Sequence, residues 1–267
     1  MMIQAEPAAE LAPYIVCFWQ TSRAFQPPHD TFEITPDGYI ELIWHSGAPC
    51  YKCVGADVQQ LPTAYMVGLL DAPWTLQARG VVKTLGIRFW AWGFGAIMGM
   101  LKNNSAMLAQ QLDAWREIIV PLLAADPDQA MTFIQAELLA RVPPTIASAH
   151  TTTRQIAHNL SMNIASIAAD QFMSRRQLER HVQSSIGVTP KTFARTLRFQ
   201  QARDQLCLTP NVDLATLAAE CGYSDQAHFS REFKALSGRT PRQFAQLMRE
   251  THHLMHVTHQ VLNTTND

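Results

Sequence analysis

The hydrophobic and polar positions in the C-terminal half of the chain follow one pattern twice. Residues 163–190 and 213–241 align at a spacing of 50, which becomes 51 after one inserted residue, and both end in Gly-x-Thr-Pro. In each copy the apolar residues recur at helical spacing, stop at a short break and then recur again. The pattern predicts two helices joined by a turn, a unit that the chain uses twice.

The first helix of the second copy has clear boundaries. Asp213 is its predicted N-cap, because the carboxylate accepts the first free backbone N–H groups. Leu214, Leu217 and Ala218 share one apolar stripe along the helix. Gly222 is predicted to end it, since glycine readily takes the left-handed conformation that closes many helices.

The next helix of this copy is predicted to have a buried face and an outward face. Ser224 is its predicted N-cap, and Phe229 and Phe233 at i and i+4 are predicted to face the core. The opposite face is free for solvent or a ligand. Its outward residues are Gln226, Ala227, His228 and Arg231.

The first copy follows the same plan with more basic residues. Ser174 is the predicted N-cap of its second helix, and Leu178 and Val182 are predicted core residues. Phe172 stands where the other copy has Gly222, so this turn either avoids a positive φ or bears strain there. The outward residues of the helix are Arg175, Arg176, Glu179, Arg180 and Gln183.

Two short helices around a tight turn are typical of helix-turn-helix units, which place the second helix in the major groove of DNA. Arginine suits this role because its planar guanidinium donates two parallel hydrogen bonds to guanine or to phosphate. The alternative is ordinary helix packing with a solvated arginine face. Two copies with matched caps, turns and closing motifs favour DNA binding over that alternative.

These residues resemble the DNA-binding domain of the AraC/XylS family of bacterial transcription regulators. The resemblance covers residues 154–249, with a joining helix at about 191–207, and is most specific over 215–244. It implies a double-stranded DNA partner and two recognition helices, at about 174–185 and 224–236, in successive major grooves. The base-facing candidates that it implies are Arg176, Glu179, Arg180, Gln226, Ala227, His228 and Arg231.

The charge distribution points to the same half of the chain. The net charge of the whole chain is −1, but residues 1–150 hold 8 Lys and Arg against 13 Asp and Glu. Residues 151–250 hold 13 against 8, so the two segments carry −5 and +5. Only the second segment has the positive charge that attracts a polyanion.

The N-terminal half alternates short apolar runs with turn residues. Five strands are predicted, at 14–20, 39–45, 65–70, 74–78 and 81–89. They indicate a small antiparallel barrel or sandwich. The pattern then becomes helical after Gly95. Helices are predicted at 104–123, with a candidate break near Asp113, and at 127–141, with Asp126 as N-cap.

The predicted fold class is therefore α+β in two domains, of which the C-terminal one is all-α with a double helix-turn-helix. The predicted boundaries are 1–141 for an effector-binding or dimerisation domain, 142–149 for a proline-containing linker, 150–250 for the DNA-binding domain and 251–267 for a His-containing tail. The strand-rich half resembles the N-terminal domain of some AraC-type regulators. This resemblance implies a small-molecule effector or a homodimer, and RNA polymerase as a partner if the protein is an activator.

Other residues in the first half have two interpretations. Its tryptophans and phenylalanines would line an effector pocket or, as we favour, form the core. Arg88 would bind an anionic effector or, as we favour, pair with Glu41 or Asp37 or lie on an exposed strand face.

A metal- or thiol-dependent catalytic or redox domain fused to the DNA-binding module is the alternative function. Cys50-x2-Cys53 is half of a metal site or a redox pair, and the tail offers His252, His256 and His259 on one helical face. The first half has no paired His-x-His, so we expect no catalytic residue, no metal, no cofactor and no enzyme activity. An acidic start and no apolar run of membrane length predict a cytoplasmic protein without a membrane partner.

Overall fold

A computed structural model describes residues 2–27, 30–98, 105–143, 148–158 and 164–255. Within these residues all strands precede all helices, and the predicted α+β class with a strand-rich N-terminal region and a helical C-terminal region is confirmed. The strands are β1 (Met2–Ala5), β2 (Ile15–Phe25), β3 (Thr31–Ile34), β4 (Tyr39–Gly47), β5 (Cys50–Val54), β6 (Asp57–Gln60), β7 (Ala64–Val67), β8 (Trp74–Ala78) and β9 (Gly80–Trp90).

The strands form two antiparallel sheets. One sheet has the order β1-β2-β9-β4-β7 and the other has the order β3-β8-β5-β6. Phe25 and Val82, at one end of the larger sheet, share a core with Leu76 and Ala78 of the smaller sheet. Of the two predicted alternatives, the described strands are compatible with a sandwich and do not close into a barrel.

All five predicted strands are present, and β8 has the predicted bounds. The strands β1, β3, β5 and β6 were not predicted. Every residue of β6 is exposed, so it has no apolar alternation to find, and it forms by backbone pairing with β5.

Between the strands and residue 143, the described part of the chain has three helices: α1 (Ala91–Met98), α2 (Ser105–Ala125) and α3 (Pro127–Leu139). The helices α2 and α3 share the main core with the larger sheet, where the rings of Trp44 and Trp115 meet edge to face at 6.2 Å between centroids. The predicted cap Asp126 is confirmed, because its carboxylate accepts from the first backbone N–H groups of α3. The candidate break at Asp113 is wrong: α2 continues through it, and Asp113 pairs with Arg116 one turn later.

The favoured interpretations of the first half are confirmed for Arg88 and for part of the aromatic set, since three of the tryptophans are only half-buried. Trp44 and Phe89 are fully buried in the main core. Arg88 pairs with Glu41, at 2.9 Å between Nε and Oε1. None of the helices in the described part of the chain has the length and apolar character that a bilayer span needs.

The described residues of the C-terminal region form seven helices: α4 (Ser148–His158), α5 (Ile164–Asp170), α6 (Arg175–Ile186), α7 (Pro190–Leu208), α8 (Leu214–Glu220), α9 (Gln226–Ser237) and α10 (Pro241–Met255). The first unit (α5 and α6) and the second unit (α8 and α9) have separate cores, and α7 contributes Phe193 to one and Phe199 to the other. The predicted core residues Leu178, Val182, Phe229 and Phe233 are fully buried, as expected.

The predicted domain boundaries stay predictions, although two helices cross them. Helix α4 begins at Ser148, inside the predicted linker, and α10 runs to Met255, inside the predicted tail. Of the three tail histidines predicted to share one helical face, His256 and His259 lie outside the described residues.

The connection from β9 to α1 yields a test of the fold. Gly93 lies against the backbone of Tyr14, and a Cβ at this position would be 2.0 Å from the Tyr14 carbonyl oxygen. We expect Gly93→Ala to lower the free energy of unfolding by about 1–3 kcal/mol, because the backbone at Tyr14 must move. Urea unfolding measures this change. Gly68→Ala is the control, since a Cβ there meets nothing within 4 Å, and equal losses in both variants would contradict the packing described.

Candidate nucleic-acid interface

Side-chain caps set the first residue of each candidate recognition helix. In α6 the predicted cap Ser174 is confirmed as part of a capping box: its hydroxyl accepts from the Gln177 N–H, and the Gln177 side chain accepts from the Ser174 N–H at 2.8 Å. The α6 helix therefore presents Arg175 and Arg176 in its first turn.

The predicted cap of the second recognition helix is wrong by one residue. Asp225, not Ser224, caps α9, and its carboxylate accepts from the His228 N–H at 2.7 Å. The His228 N–H and the Ser224 hydroxyl hold the pKa of the Asp225 carboxyl below its usual range. A carboxylate is the stronger acceptor and favours the positive end of the helix dipole, so it takes the capping position.

The two turns have the same hydrogen bonds although their sequences differ. The Met173 N–H donates to the Ala168 carbonyl at 2.9 Å, and the Tyr223 N–H donates to the Ala218 carbonyl at 2.9 Å. These bonds require a left-handed residue before them. Gly222 has φ 74°, and Phe172 has φ 53°. The turn at Phe172 therefore bears the strain that was one of the two predicted outcomes, about 1–2 kcal/mol for a residue with a Cβ.

The outward face of α6 carries the predicted arginines. Arg175, Arg176 and Arg180 are exposed, and Glu179 is half-buried. Arg175 pairs with Glu179 at 3.0 Å along the helix, whereas Arg176 and Arg180 make no ion pair with any described residue. Two guanidinium groups are therefore available to an external anion on this face.

The outward face of α9 is less basic. Gln226, Ala227 and Arg231 are exposed, and Arg231 makes no ion pair within the described chain. The His228 ring lies between protein groups: Nδ1 is 3.1 Å from the Ser224 hydroxyl, and Nε2 is 3.5 Å from Glu232 Oε1. Base contact by His228 stays a prediction, and this geometry favours a positioning role for the ring.

An ion-pair network that was not predicted joins α9 to α7. Glu232 Oε1 is 3.3 Å from Arg195 Nε, and Glu232 Oε2 is 4.0 Å from Arg198 Nη2. The Glu232 side chain is 20% exposed, so water screens these contacts less than surface pairs. The spacing of Arg195 and Arg198 at i and i+3 places both on one face of α7, but the sequence gives no sign that their partner is Glu232 on another helix.

The turn between β3 and β4 contacts the middle of α7. The Gly38 N–H donates to Gln200 Oε1 at 2.8 Å, and Arg203 Nη1 donates to Thr35 Oγ1 at 3.0 Å and to the Pro36 carbonyl at 3.3 Å. Burial raises the pKa of the Asp37 carboxyl in this turn to about 6, while nearby arginines oppose that rise. The N-terminal region is therefore docked on the helix that joins the two units.

The N-terminal region also contacts the first unit and the residue Arg239 that follows the second unit. Ala91, at the start of α1, is buried in the same core as Ile186 of α6. Glu33, at the end of β3, forms an ion pair with Arg239, which follows α9. The relative positions of the two units are thus set by the N-terminal region as well as by α7.

The residues considered for metal or thiol chemistry are not gathered into one site in the described structure. No group of three or more His, Cys, Asp or Glu side chains with the spacing of a metal site occurs among the described residues. Burial raises the pKa of the Cys17 thiol to about 11 and also raises that of Cys50, the opposite of the change that activates a thiolate. His45 contacts the Pro62 carbonyl at 3.0 Å.

Comparison with known proteins gives matches to both halves of the chain. A family model described as a helix-turn-helix domain matches residues 167–247, and a domain of unknown function (DUF6597) matches residues 3–111. Over 75 residues the chain is 39% identical to the HTH-type transcriptional activator RhaS of Yersinia pestis (strain Pestoides F). The aligned segment covers 28% of this chain and 27% of RhaS. The matched segment is thus about a quarter of the relative's length.

Solved structures also match, among them those of ToxT and AdpA. The alignment with the 1.65 Å structure of ToxT from Vibrio cholerae covers 86% of this chain and 98% of the ToxT chain, with 9% sequence identity and a TM-score of 0.48. The alignment with the structure of the AdpA DNA-binding domain in complex with a target DNA covers 40% of this chain and 96% of the AdpA chain, with 22% sequence identity and a TM-score of 0.37.

The helical region is therefore a helix-turn-helix domain. More particularly, the match over residues 167–247 and the similarity to RhaS agree with the AraC-type resemblance that the motifs of this C-terminal region predicted.

The Glu232 network yields a test of how α9 is held. We expect Glu232→Gln to lower the free energy of unfolding by about 1–2 kcal/mol, because two arginines lose their carboxylate partner in a partly desolvated position. The control is Glu220→Gln, which removes an exposed carboxylate at the end of α8. Chemical denaturation of both variants measures the difference. If Glu232→Gln unfolds at the same midpoint as Glu220→Gln, the network does not stabilise the domain.

Proposed function

We propose that the chain is a sequence-specific DNA-binding transcription regulator that acts in the bacterial cytoplasm, with α6 and α9 in successive major grooves. The observation that carries this proposal is the pair of capped helices whose outward arginines, Arg176, Arg180 and Arg231, are exposed and unpaired within the described chain. A related segment occurs in a protein named a transcriptional activator, which supports the same role here. The DNA-binding residues in this proposal are Arg175, Arg176, Glu179, Arg180, Gln226, Ala227, His228 and Arg231.

Electrostatics supports DNA as the partner over a protein ligand. Residues 151–250 carry a net charge of +5, and arginine donates to both guanine edges and phosphate oxygens. A chain that binds DNA through these groups releases counterions, so its affinity falls as the salt concentration rises. We propose no catalytic role for the N-terminal region, because burial disfavours the thiolate form of Cys17 and Cys50.

The recognition helices yield the main test of this proposal. We expect Arg180→Ala and Arg231→Ala each to weaken binding to a duplex selected from a random pool by about 1–3 kcal/mol, without loss of fold. The measurement is fluorescence anisotropy at several salt concentrations. Arg116→Ala is the matched control, because Arg116 is a partly exposed arginine of the acidic half. Parent-like affinity in both recognition-helix variants would exclude this use of α6 and α9.

We further propose that a small molecule controls the protein through its N-terminal region, with homodimerisation and RNA polymerase contact as the other roles of this half. A cleft of about 440 Å³ lies between the end of β4 and the end of α2. Ser46 lines the cleft, and its buried hydroxyl has no hydrogen-bond partner in the described structure. A polar ligand that accepts or donates there would satisfy this hydroxyl, which supports ligand binding at this position.

The cleft yields a separate test. A ligand found by thermal-shift screening is expected to raise the stability of the protein by about 2.7 kcal/mol when its concentration is 100 times its dissociation constant. Ala124→Trp, on the exposed rim of the cleft, is expected to abolish the shift by filling the space. Ala125→Trp, an exposed neighbour that does not line the cleft, is the control. A shift that survives Ala124→Trp would place the ligand elsewhere.

A further inference from the structure

Phe172 differs from the other large apolar side chains in the described part of the chain because it is fully exposed. Its relative accessibility is 100%, whereas the next most exposed, Val54 and Val58, reach 59% and 57%. Single exposed apolar residues are common on protein surfaces and need no explanation by themselves. Phe172 needs one because it combines complete exposure with a left-handed backbone, at φ 53°.

The turn itself does not require an aromatic ring at this position. The equivalent turn of the second unit has Gly222, which supports the same pair of backbone hydrogen bonds without strain. Glycine at 172 would therefore close the turn equally well and would expose no apolar surface. The ring costs backbone strain and gains no burial within the described chain, so a contact outside the described chain would account for it.

The position of Phe172 points to the surface that would meet the ring. It lies two residues before the cap Ser174, and α6 begins at Arg175. In helix-turn-helix proteins the first residues of the recognition helix enter the major groove. With α6 in the groove, a side chain at the preceding turn would lie near the rim of that groove, close in sequence to Arg175 and Arg176, whose charge complements the phosphates.

We propose that Phe172 contacts the DNA directly, with its ring packed against a deoxyribose or a thymine methyl group at the rim of the groove that receives α6. The proposal rests on the proposed function of α6 as a recognition helix. Phenylalanine makes such apolar contacts with the thymine methyl group in known complexes. The second unit has no ring at Gly222, so this contact exists in one half-site only and gives the two half-sites different requirements.

Three variants at one position test the contact. Phe172→Gly removes both the ring and the strain, Phe172→Ala removes the ring and keeps the strain, and Phe172→Leu keeps an apolar side chain and the strain. We expect Phe172→Gly to raise Tm by a few degrees. We expect the same variant to bind the selected duplex about tenfold more weakly, the factor for losing the burial of one face of a ring. A rise in Tm together with a loss of DNA affinity would indicate that the ring contributes to binding and not to folding.

The comparison among the variants isolates the ring. Phe172→Ala is expected to match Phe172→Gly in affinity but not in Tm, and Phe172→Leu is expected to retain most of the affinity. Replacing the thymines of the α6 half-site one at a time with deoxyuridine separates the two contacts. If a uracil substitution weakens binding by the parent chain but not by Phe172→Gly, the ring contacts the methyl group of that thymine. If the parent chain binds every uracil-containing duplex as tightly as the original one, the ring contacts a sugar.

Failure of this inference is distinguishable from failure of the proposed function. If Arg180→Ala and Arg231→Ala weaken binding while Phe172→Gly binds like the parent chain, the contact is absent and the recognition helices stand. If the parent chain selects no duplex at all, the proposed function fails first. A change in self-association of Phe172→Gly at unchanged DNA affinity, measured by sedimentation, would assign the ring to a second copy of the chain and overturn the DNA contact.

Discussion

Helix α7 imposes the constraint on which the rest of the structure depends, because its 19 residues meet three separate partners. Phe193 is buried in the core of the first unit, and Phe199 is buried in the core of the second. Arg195 pairs with Glu232 of α9, and Arg203 binds the turn of the N-terminal region. A continuous helix has a fixed rise and rotation per residue, so these contacts determine how far apart α6 and α9 lie and how they are oriented.

The docking of the N-terminal region gives a physical route between the two halves. The acidic half contacts α6 through α1, α7 through residues 35–38, and the residue after the second unit through Glu33 and Arg239. A change in the N-terminal region that moves any of these contacts has to move a recognition helix or break the contact. Any ligand or partner of this half would act through the difference between its affinity for the arrangement with these contacts formed and its affinity for an arrangement in which they are moved or broken.

The two units share backbone geometry and differ in surface chemistry. Their turns close with the same hydrogen bonds, but one has a strained Phe172 and the other a relaxed Gly222. In the first unit Arg176 and Arg180 are free for an external anion, whereas in the second the His228 ring is held by Ser224 and Glu232. The repeat thus produces two related but unequal surfaces.

The sequence by itself determined the helices of the repeat, their caps and their buried residues. The predicted caps are confirmed at Ser174 and at Asp213, whose carboxylate accepts from the Thr216 N–H. Each of these signals lies within one or two turns of the element that it controls. Its error at Ser224 was also local, since two adjacent side chains compete for one cap and the carboxylate is the better acceptor. The exposed strand β6 was not predicted because it has no apolar pattern. It is a strand only because its backbone pairs with β5. Only the tertiary structure decided that Glu232 meets Arg195, and that Arg203 meets Thr35 from 168 residues away. Such contacts depend on which surfaces face each other once the separate cores have packed, and no short-range pattern encodes that choice.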